Sequence, residues 1–148
     1  MNNTFKGLLL IFTFICASTF NVMADKEEPI NANQLPATAQ KVLKANFSDS
    51  KIAIAKKETD LFSKSYDVVF TNGNKIEFDR NGHWEKISCK QGEVPSVLIP
   101  SSILQYVNNH FQQVLIVEIE KDNRGYEVEL SNGIELEFNQ KGRCTKVD

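Results

Sequence analysis

The fold of this chain is decided by residues 126–142, whose sequence is YEVELSNGIELEFNQKG. Tyr126–Leu130 alternates apolar side chains with glutamate, so a β-strand here places its apolar side chains on one face and its carboxylates on the other. Asn132 and Gly133 follow at once, and both residue types tolerate the positive φ of a two-residue hairpin turn. The stretch therefore predicts a β-hairpin, with a second turn at 139–142.

The same pattern occurs sixty residues earlier, at 66–82, where the sequence is YDVVFTNGNKIEFDRNG. Apolar residues at helical spacing precede each copy, within 31–47 and 99–111. A short strand follows each predicted helix. We therefore expect two tandem units of one helix and four antiparallel strands, joined into one sheet with both helices on one face, an α+β fold. The predicted units are residues 25–89 and 90–148.

Residues 1–24 have the features of a secretory signal peptide. Lys6 supplies positive charge, Leu8–Phe20 is apolar, and Val22–Ala24 is a small-residue cleavage pattern. The apolar run is short for a membrane span, which needs about 20 residues. We expect cleavage after Ala24, a periplasmic or secreted protein, and no membrane association once the signal is removed.

The charge balance and the cysteines restrict the function further. The sequence has 17 basic and 19 acidic residues, so removal of Lys6 leaves 16 against 19, a net charge of −3. This balance disfavours binding to nucleic acid or to an anionic membrane surface.

Cys89 and Cys144 remain after cleavage and could oxidise in an exported protein. Strand parity places only Cys89 with core residues, which argues against a disulfide between the two, although a bridge and two free thiols both stay open.

The whole pattern resembles the small exported proteins with tandem PepSY-like, β-lactamase-inhibitor-protein-like units. The residues that carry the resemblance are Leu35-Pro36, Phe47, Tyr66–Val68, Asn72-Gly73, Ile76–Asp79, Gly82–Ile87, Cys89, Val94-Pro95 and a second copy from Ile99 to Val147. The resemblance implies two units side by side with helices on one face. It also implies a periplasmic or secreted binding role, and PepSY domains are linked to peptidase inhibition.

Candidate binding residues are predicted on the sheet face that points away from the helices and in one loop. By alternation the face carries acidic side chains and one aromatic residue, Trp84, which could anchor a basic partner. An ordinary solvated face is the alternative. The exposed loop at 58–65 is a second candidate contact. The predicted contact residues are Trp84, Lys86, Glu77, Glu127, Glu129, Glu135, Glu137, Leu61 and Phe62.

No pattern in the sequence predicts catalysis or a metal site. His83, His110 and the two cysteines lack the spacing of zinc ligands, and no hydrolase or phosphate-loop motif is present. Calcium takes six to eight oxygen ligands at close range, and a flat strand face supplies so many oxygens poorly. We predict a non-enzymatic, monomeric binding module without a cofactor. It would recognise an unidentified protein or peptide, with inhibition of a hydrolase as one outcome. The alternative is a small-ligand or calcium sensor that uses the acidic face.

Overall fold

A computed structural model describes residues 26–148, so the predicted signal peptide and its cleavage site lie outside the described residues. Residues 26–148 form an α+β fold with one open antiparallel sheet of nine strands and two α-helices. The strands are β1 (Lys26–Ile30), β2 (Ile52–Thr59), β3 (Lys64–Phe70), β4 (Lys75–Asp79), β5 (Trp84–Ser88), β6 (Ile116–Lys121), β7 (Gly125–Leu130), β8 (Glu135–Asn139) and β9 (Cys144–Val147). The helices are α1 (Ala37–Asn46) and α2 (Ser101–His110), and short 3-10 turns at Ala32–Gln34 and Ser96–Leu98 precede them.

The spatial order of the strands is their order along the chain, from β1 to β9. Every neighbouring pair is antiparallel, including β5 and β6, which lie on either side of the second helix in sequence. β1 and β2 are likewise separated in sequence by the first helix. Hairpin turns join the other neighbouring pairs, because a short turn can join only antiparallel neighbours. One sheet therefore runs through the whole described chain.

Both helices cover the same face of the sheet. Each contributes two buried side chains one helical turn apart, Ala39 and Leu43 in α1 and Ile103 and Val107 in α2. These side chains belong to a single cluster of buried residues that includes inward-facing residues of β2 to β8. The structure thus has one hydrophobic layer between two helices and one sheet, and the opposite face of the sheet carries no helix of the described chain.

Close contacts fix the helices to the turns of the sheet. A Cβ atom added to Gly82, in the β4–β5 turn, would lie 2.7 Å from Pro36 Cβ, just before α1. One added to Gly142, in the β8–β9 turn, would lie 1.9 Å from Ser102 Oγ at the start of α2. Both glycines also have positive φ. Each turn therefore packs directly against the beginning of a helix at a position where only glycine fits.

Two details of the backbone differ from the predictions. No strand was predicted between the signal peptide and the first helix, but Lys26–Ile30 pairs with β2 as an edge strand. The two Asn-Gly turns are also longer than predicted. Only the glycines, Gly73 and Gly133, have positive φ, whereas a two-residue turn of the expected type needs it at both positions. Each glycine instead closes a turn by donating its N–H to the carbonyl three residues earlier, that of Phe70 or Leu130.

Cys89 and Cys144, the cysteines among the described residues, are free thiols. Cys89 follows β5, and Cys144 begins β9, four strand spacings away. At about 4.8 Å for each spacing the two lie about 19 Å apart, whereas a disulfide needs Cα atoms within about 7 Å. Burial raises the pKa of the Cys89 thiol, assisted by the nearby carboxylate of Glu93.

No helix among residues 26–148 has the length and apolar character that crossing a bilayer requires.

Candidate binding face

The face of the sheet opposite the helices, which we call the open face, carries two rows of carboxylates in its C-terminal half. The first row runs across β6, β7 and β8, where Glu118 is directly opposite Glu129 and Glu129 is directly opposite Glu135. The second row is parallel to it, with Glu120, Glu127 and Glu137 in the same strands. Directly opposed side chains on one face have Cβ atoms about 4.5–5.5 Å apart. A shallow groove of about 190 Å³ lies over both rows.

Two lysines flank the rows. Lys86 in β5 places its Nζ 2.7 Å from Glu118 Oε1 and 3.1 Å from Glu120 Oε2. The hydrogen bond to Glu118 raises the pKa of Lys86 above the usual lysine range, although partial burial opposes the shift. Lys146 in β9 lies 3.4 Å from Glu137 and also contacts Asp148. The lysines therefore neutralise the borders of the acidic rows.

The centre of the rows is not neutralised. Among residues 26–148, Glu129 and Glu135 form no ion pair, and the nearest cation to Glu127 is Arg124, whose Nη2 lies 3.8 Å away. Like charges directly opposite each other in a sheet are destabilising. The open face thus keeps an unfavourable charge arrangement that hydrophobic packing of the other face must offset.

The N-terminal half of the open face is different because most of its acids are paired with lysine, the exception being Glu58 opposite Glu27. Lys75 lies between two carboxylates, 2.6 Å from Asp67 Oδ2 and 2.9 Å from Glu77 Oε1. Lys56 pairs with one carboxylate, since its Nζ lies 2.8 Å from Glu27 Oε2. The predicted contact residue Glu77 is therefore on the open face, but it belongs to a compensated cluster outside the acidic groove.

Trp84 is not on the open face, and that part of the prediction is wrong. A β-bulge between β4 and β5 shifts the register, so Trp84 pairs with Phe78, a fully buried core residue. Paired residues point to the same side, and Trp84 packs against the core cluster beneath the helices. Lys121 Nζ lies 4.2 Å from the centre of its ring. Burial lowers the pKa of Lys121, although the nearby carboxylates of Asp79 and Glu85 oppose the shift. The indole is therefore part of the core border and not an exposed anchor.

Leu61 and Phe62 form the exposed tip of the β2–β3 hairpin, with 63% and 95% of their surfaces accessible. The tip is ordered by Asp60, whose Oδ1 accepts the N–H groups of Phe62 and Ser63 at 2.6 Å. Its Oδ2 accepts the Ser63 hydroxyl at 2.7 Å. The hairpin thus holds two apolar side chains in water on a turn with a defined backbone.

The turn aspartate makes the tip sensitive to acid. The N–H of Phe62, then the hydroxyl and N–H of Ser63, lower the pKa of Asp60 below its ordinary value. The carboxylate therefore stabilises the turn fully above the unfolded pKa of about 3.9, and this contribution is lost as pH falls through the lower folded value.

We expect the Phe62 amide to lose hydrogen-exchange protection as the pH falls below about 4, after correction for the intrinsic exchange rate. The β8–β9 turn is an internal control, because Asn139 Oδ1 accepts the Lys141 and Arg143 N–H groups and does not titrate. Equal loss of protection at both turns would contradict the assignment to Asp60.

Several proteins of known structure share this fold and much of this sequence. A family model described as "Putative beta-lactamase-inhibitor-like, PepSY-like" matches residues 20–61 and 64–146. The chain belongs to this PepSY-like family. The match covers most of the chain, as the sequence resemblance implied. The family description is that of an inhibitor-like group and names no enzymatic reaction.

Three relatives of this PepSY-like protein with crystal structures come from Bacteroides species. One, from Bacteroides thetaiotaomicron, is described as a "putative calcium-regulated periplasmic protein"; it is 46% identical, with a TM-score of 0.80 over 82% of this chain and 96% of that one. A "putative periplasmic protein" of the DUF2874 family from Bacteroides vulgatus is also 46% identical, with a TM-score of 0.82 over 84% and 98%. A third, from the same species and of unknown function, is 37% identical, with a TM-score of 0.78 over 83% and 99%. No curated protein matches the chain.

The PepSY-like sheet brings together residues that the sequence pattern left apart. Glu127, Glu129, Glu135 and Glu137 were predicted on the open face, and the register places all four in the groove with Lys86. Glu118 and Glu120 also line the groove but were not predicted. Their alternation with Ile119 was a visible signal, yet only the pairing of β5 with β6 shows that they face Lys86. Among residues 26–148, no group of three or more His, Cys, Asp or Glu side chains is positioned to hold a metal ion.

Proposed function

We propose that this protein is a non-enzymatic, exported binding module in which two tandem PepSY-like units share one sheet. It acts in the periplasm or as a secreted protein, and it recognises a cationic segment of a protein or peptide through the C-terminal half of the open face. The observation that carries the proposal is the pair of carboxylate rows in register, whose central members Glu129 and Glu135 form no ion pair within the described chain. The periplasmic description of three relatives supports the location.

The proposal explains why an unfavourable arrangement is kept. Opposed carboxylates weaken the sheet in the free protein, and locally unfavourable features of natural proteins concentrate at functional sites. The first half of the same face pairs three of its acids, Glu27, Asp67 and Glu77, with Lys56 and Lys75. A binding role in the second half accounts for the absence of such pairing, because an incoming lysine or arginine would supply the missing cation.

The double substitution Glu129→Gln/Glu135→Gln tests the effect of the central carboxylates on peptide binding and their effect on stability separately. We expect it to weaken binding of an oligolysine peptide about five- to tenfold, since an exposed charge pair contributes about 0.2–1 kcal/mol. We also expect a small gain in unfolding free energy, up to about 1 kcal/mol, because like charges are removed. Isothermal titration calorimetry and urea denaturation measure the two quantities.

The matched control is Asp49→Asn/Glu93→Gln, which changes the net charge equally at two exposed positions outside the groove. If this control weakens the peptide as much as the groove variant does, the attraction is one of overall charge and the proposed site is wrong. If neither variant changes affinity, or if oligolysine does not bind, the proposal also fails.

The family description makes a hydrolase one class of partner to test. An inhibitory role predicts a dose-dependent loss of activity when the protein is added to β-lactamases or periplasmic peptidases. The groove variant and its control distinguish inhibition through the acidic rows from inhibition through another surface. A partner that presents lysine or arginine near its active site fits the charge of the groove best.

The second candidate is a cation sensor that uses the same carboxylates. The observation in its favour is the relative described as calcium-regulated, which is 46% identical to this chain. Calcium needs six to eight oxygens at close range, so binding would require the side chains of both rows to converge. A rise in melting temperature with CaCl₂ but not with NaCl of equal ionic strength, abolished by Glu129→Gln/Glu135→Gln, would favour calcium over a peptide.

A further inference from the structure

One end of the sheet gathers four exposed turns. The strand registers place the β2–β3, β4–β5, β6–β7 and β8–β9 turns at this end, together with Lys26 at the start of β1. We call this surface the turn end; it comprises residues 26, 60–64, 79–85, 121–125 and 139–143. The exposed Leu61 and Phe62 project from it.

The turn end is basic although the whole protein is acidic. It contains seven lysines and arginines against four aspartates and glutamates, a net charge of +3. Five of its cations are exposed and form no ion pair among residues 26–148. They are Lys26, Lys64, Arg80, Lys141 and Arg143. The charge of the molecule is therefore segregated, with carboxylates concentrated on the open face and uncompensated cations at the turn end.

Three of the four acids at the turn end are used by the turns themselves. Asp60, Asp79 and Asp122 each accept backbone N–H groups of their own turn. These hydrogen bonds tie the carboxylates to the turn backbone and away from the exposed cations. In the fourth turn a neutral residue, Asn139, takes the same role. The cations at this end thus remain available to an external anion.

The molecule contains its own control for the apolar tip. Asp122 orders the β6–β7 turn as Asp60 orders the β2–β3 turn, with its Oδ1 accepting the N–H groups of the residues two and three positions later. The tip residues in that turn are the polar Asn123 and Arg124. The turn therefore does not require apolar side chains, and folding does not explain why Leu61 and Phe62 are held in water.

We propose that the turn end docks on an anionic lipid surface, with Leu61 and Phe62 inserted among the lipids and the surrounding lysines and arginines against the headgroups. This surface is separate from the acidic groove and independent of the function proposed above. It also revises the expectation that the net charge of −3 disfavours binding to an anionic membrane surface. The net charge is a total over the molecule, and it does not show that one end is basic.

A lipid surface fits the observations better than an acidic protein or a nucleic acid. An interface between headgroups and acyl chains accepts a projecting apolar tip and diffuse cations at the same time, without any fixed geometry. Base stacking would require aromatic side chains in a row along a groove, whereas the turn end has one exposed phenyl ring, that of Phe62, and one exposed imidazole, that of His83, on a different turn. Neither apolar insertion nor charge alone gives stable attachment, and the turn end offers both.

Vesicle flotation of the mature protein tests the proposal. We expect binding to vesicles of mixed phosphatidylglycerol and phosphatidylcholine, little binding to phosphatidylcholine alone, and weakening by salt. Leu61→Ser/Phe62→Ser should reduce the partition coefficient about tenfold or more, since two large apolar side chains no longer leave water. Lys64→Gln/Lys141→Gln should reduce it about fivefold for each cation removed.

The matched control is Leu115→Ser/Val147→Ser, which removes two exposed apolar side chains at the opposite end of the sheet and should bind as the unaltered protein does. Circular dichroism verifies that each variant is folded. Glu129→Gln/Glu135→Gln should not weaken vesicle binding, so the two proposals fail separately. Absence of binding to anionic vesicles overturns the proposal. Binding that depends on the lysines but not on Leu61 and Phe62 also overturns it, and indicates an acidic macromolecule instead.

Discussion

Replacing Gly125 by alanine is expected to lower the free energy of unfolding by about 3 kcal/mol or more. Gly125 begins β7 with φ +155°, a conformation that residues with a Cβ rarely adopt, at a cost of about 1–3 kcal/mol. The new Cβ would lie 1.9 Å from the carbonyl oxygen of Phe138 in the neighbouring strand. Because that atom belongs to the backbone, relief of the clash would require β7 and β8 to separate.

Gly133→Ala is the matched control for this substitution. Gly133 also has positive φ, at +84°, but a Cβ there meets nothing within 4 Å. The control should cost only the backbone penalty of about 1–2 kcal/mol. Urea denaturation followed by circular dichroism measures both variants. Equal losses at the two positions would show that the β7–β8 contact does not constrain the strand as described.

Replacing Phe78 by alanine is expected to cost about 3–5 kcal/mol, the usual range for removing a buried phenylalanine. Phe78 in β4 is fully buried, and its neighbours belong to the cluster that also contains residues of α2 and of β6 to β8. Since the hydrophobic layer is continuous, we expect the variant to unfold in a single transition at a lower urea concentration.

Phe138→Ala, the corresponding change in β8, should behave in the same way, because Phe138 is also buried. Ile119 in β6, next to the central strand, is in the same cluster, so an amide probe there should report the same midpoint as probes at either end of the sheet. Two separate transitions, of which each substitution shifts only one, would contradict a shared core. That result would mean that the two predicted units fold independently.

Much of the fold could be predicted because the side-chain pattern has short-range causes. The alternation in Tyr126–Leu130 predicts a strand with Val128 and Leu130 inward, and both are buried. The spacing of Ile103 and Val107 predicts one buried stripe on a helix, and both are buried in α2. Each of these inferences depends only on the repeat of a strand or a helix. The pattern is therefore visible within a few residues of sequence.

The failures have long-range or backbone causes. The position of Trp84 was wrong because an unpaired residue in a bulge reverses the alternation, and no residue type marks that bulge. The strand at Lys26–Ile30 was missed because its charged residues have low strand preference, yet β2 offers a free edge for it. In both cases the partner strand, and not the local sequence, determined the outcome.

The sequence by itself determined eight of the nine strands in residues 26–148, both helices, the side of the sheet that is apolar and the membership of the PepSY-like family. These features depend on local periodicity and residue identity. Only the tertiary structure decided which charges meet. The pairing of β5 with β6 brought Lys86 to Glu118, the register of β7 and β8 set Glu129 against Glu135, and four turns met at one basic end. Electrostatic interactions act across space between residues distant in the chain. A charge count along the sequence therefore cannot show that the fold gathers carboxylates on the open face and cations at the turn end.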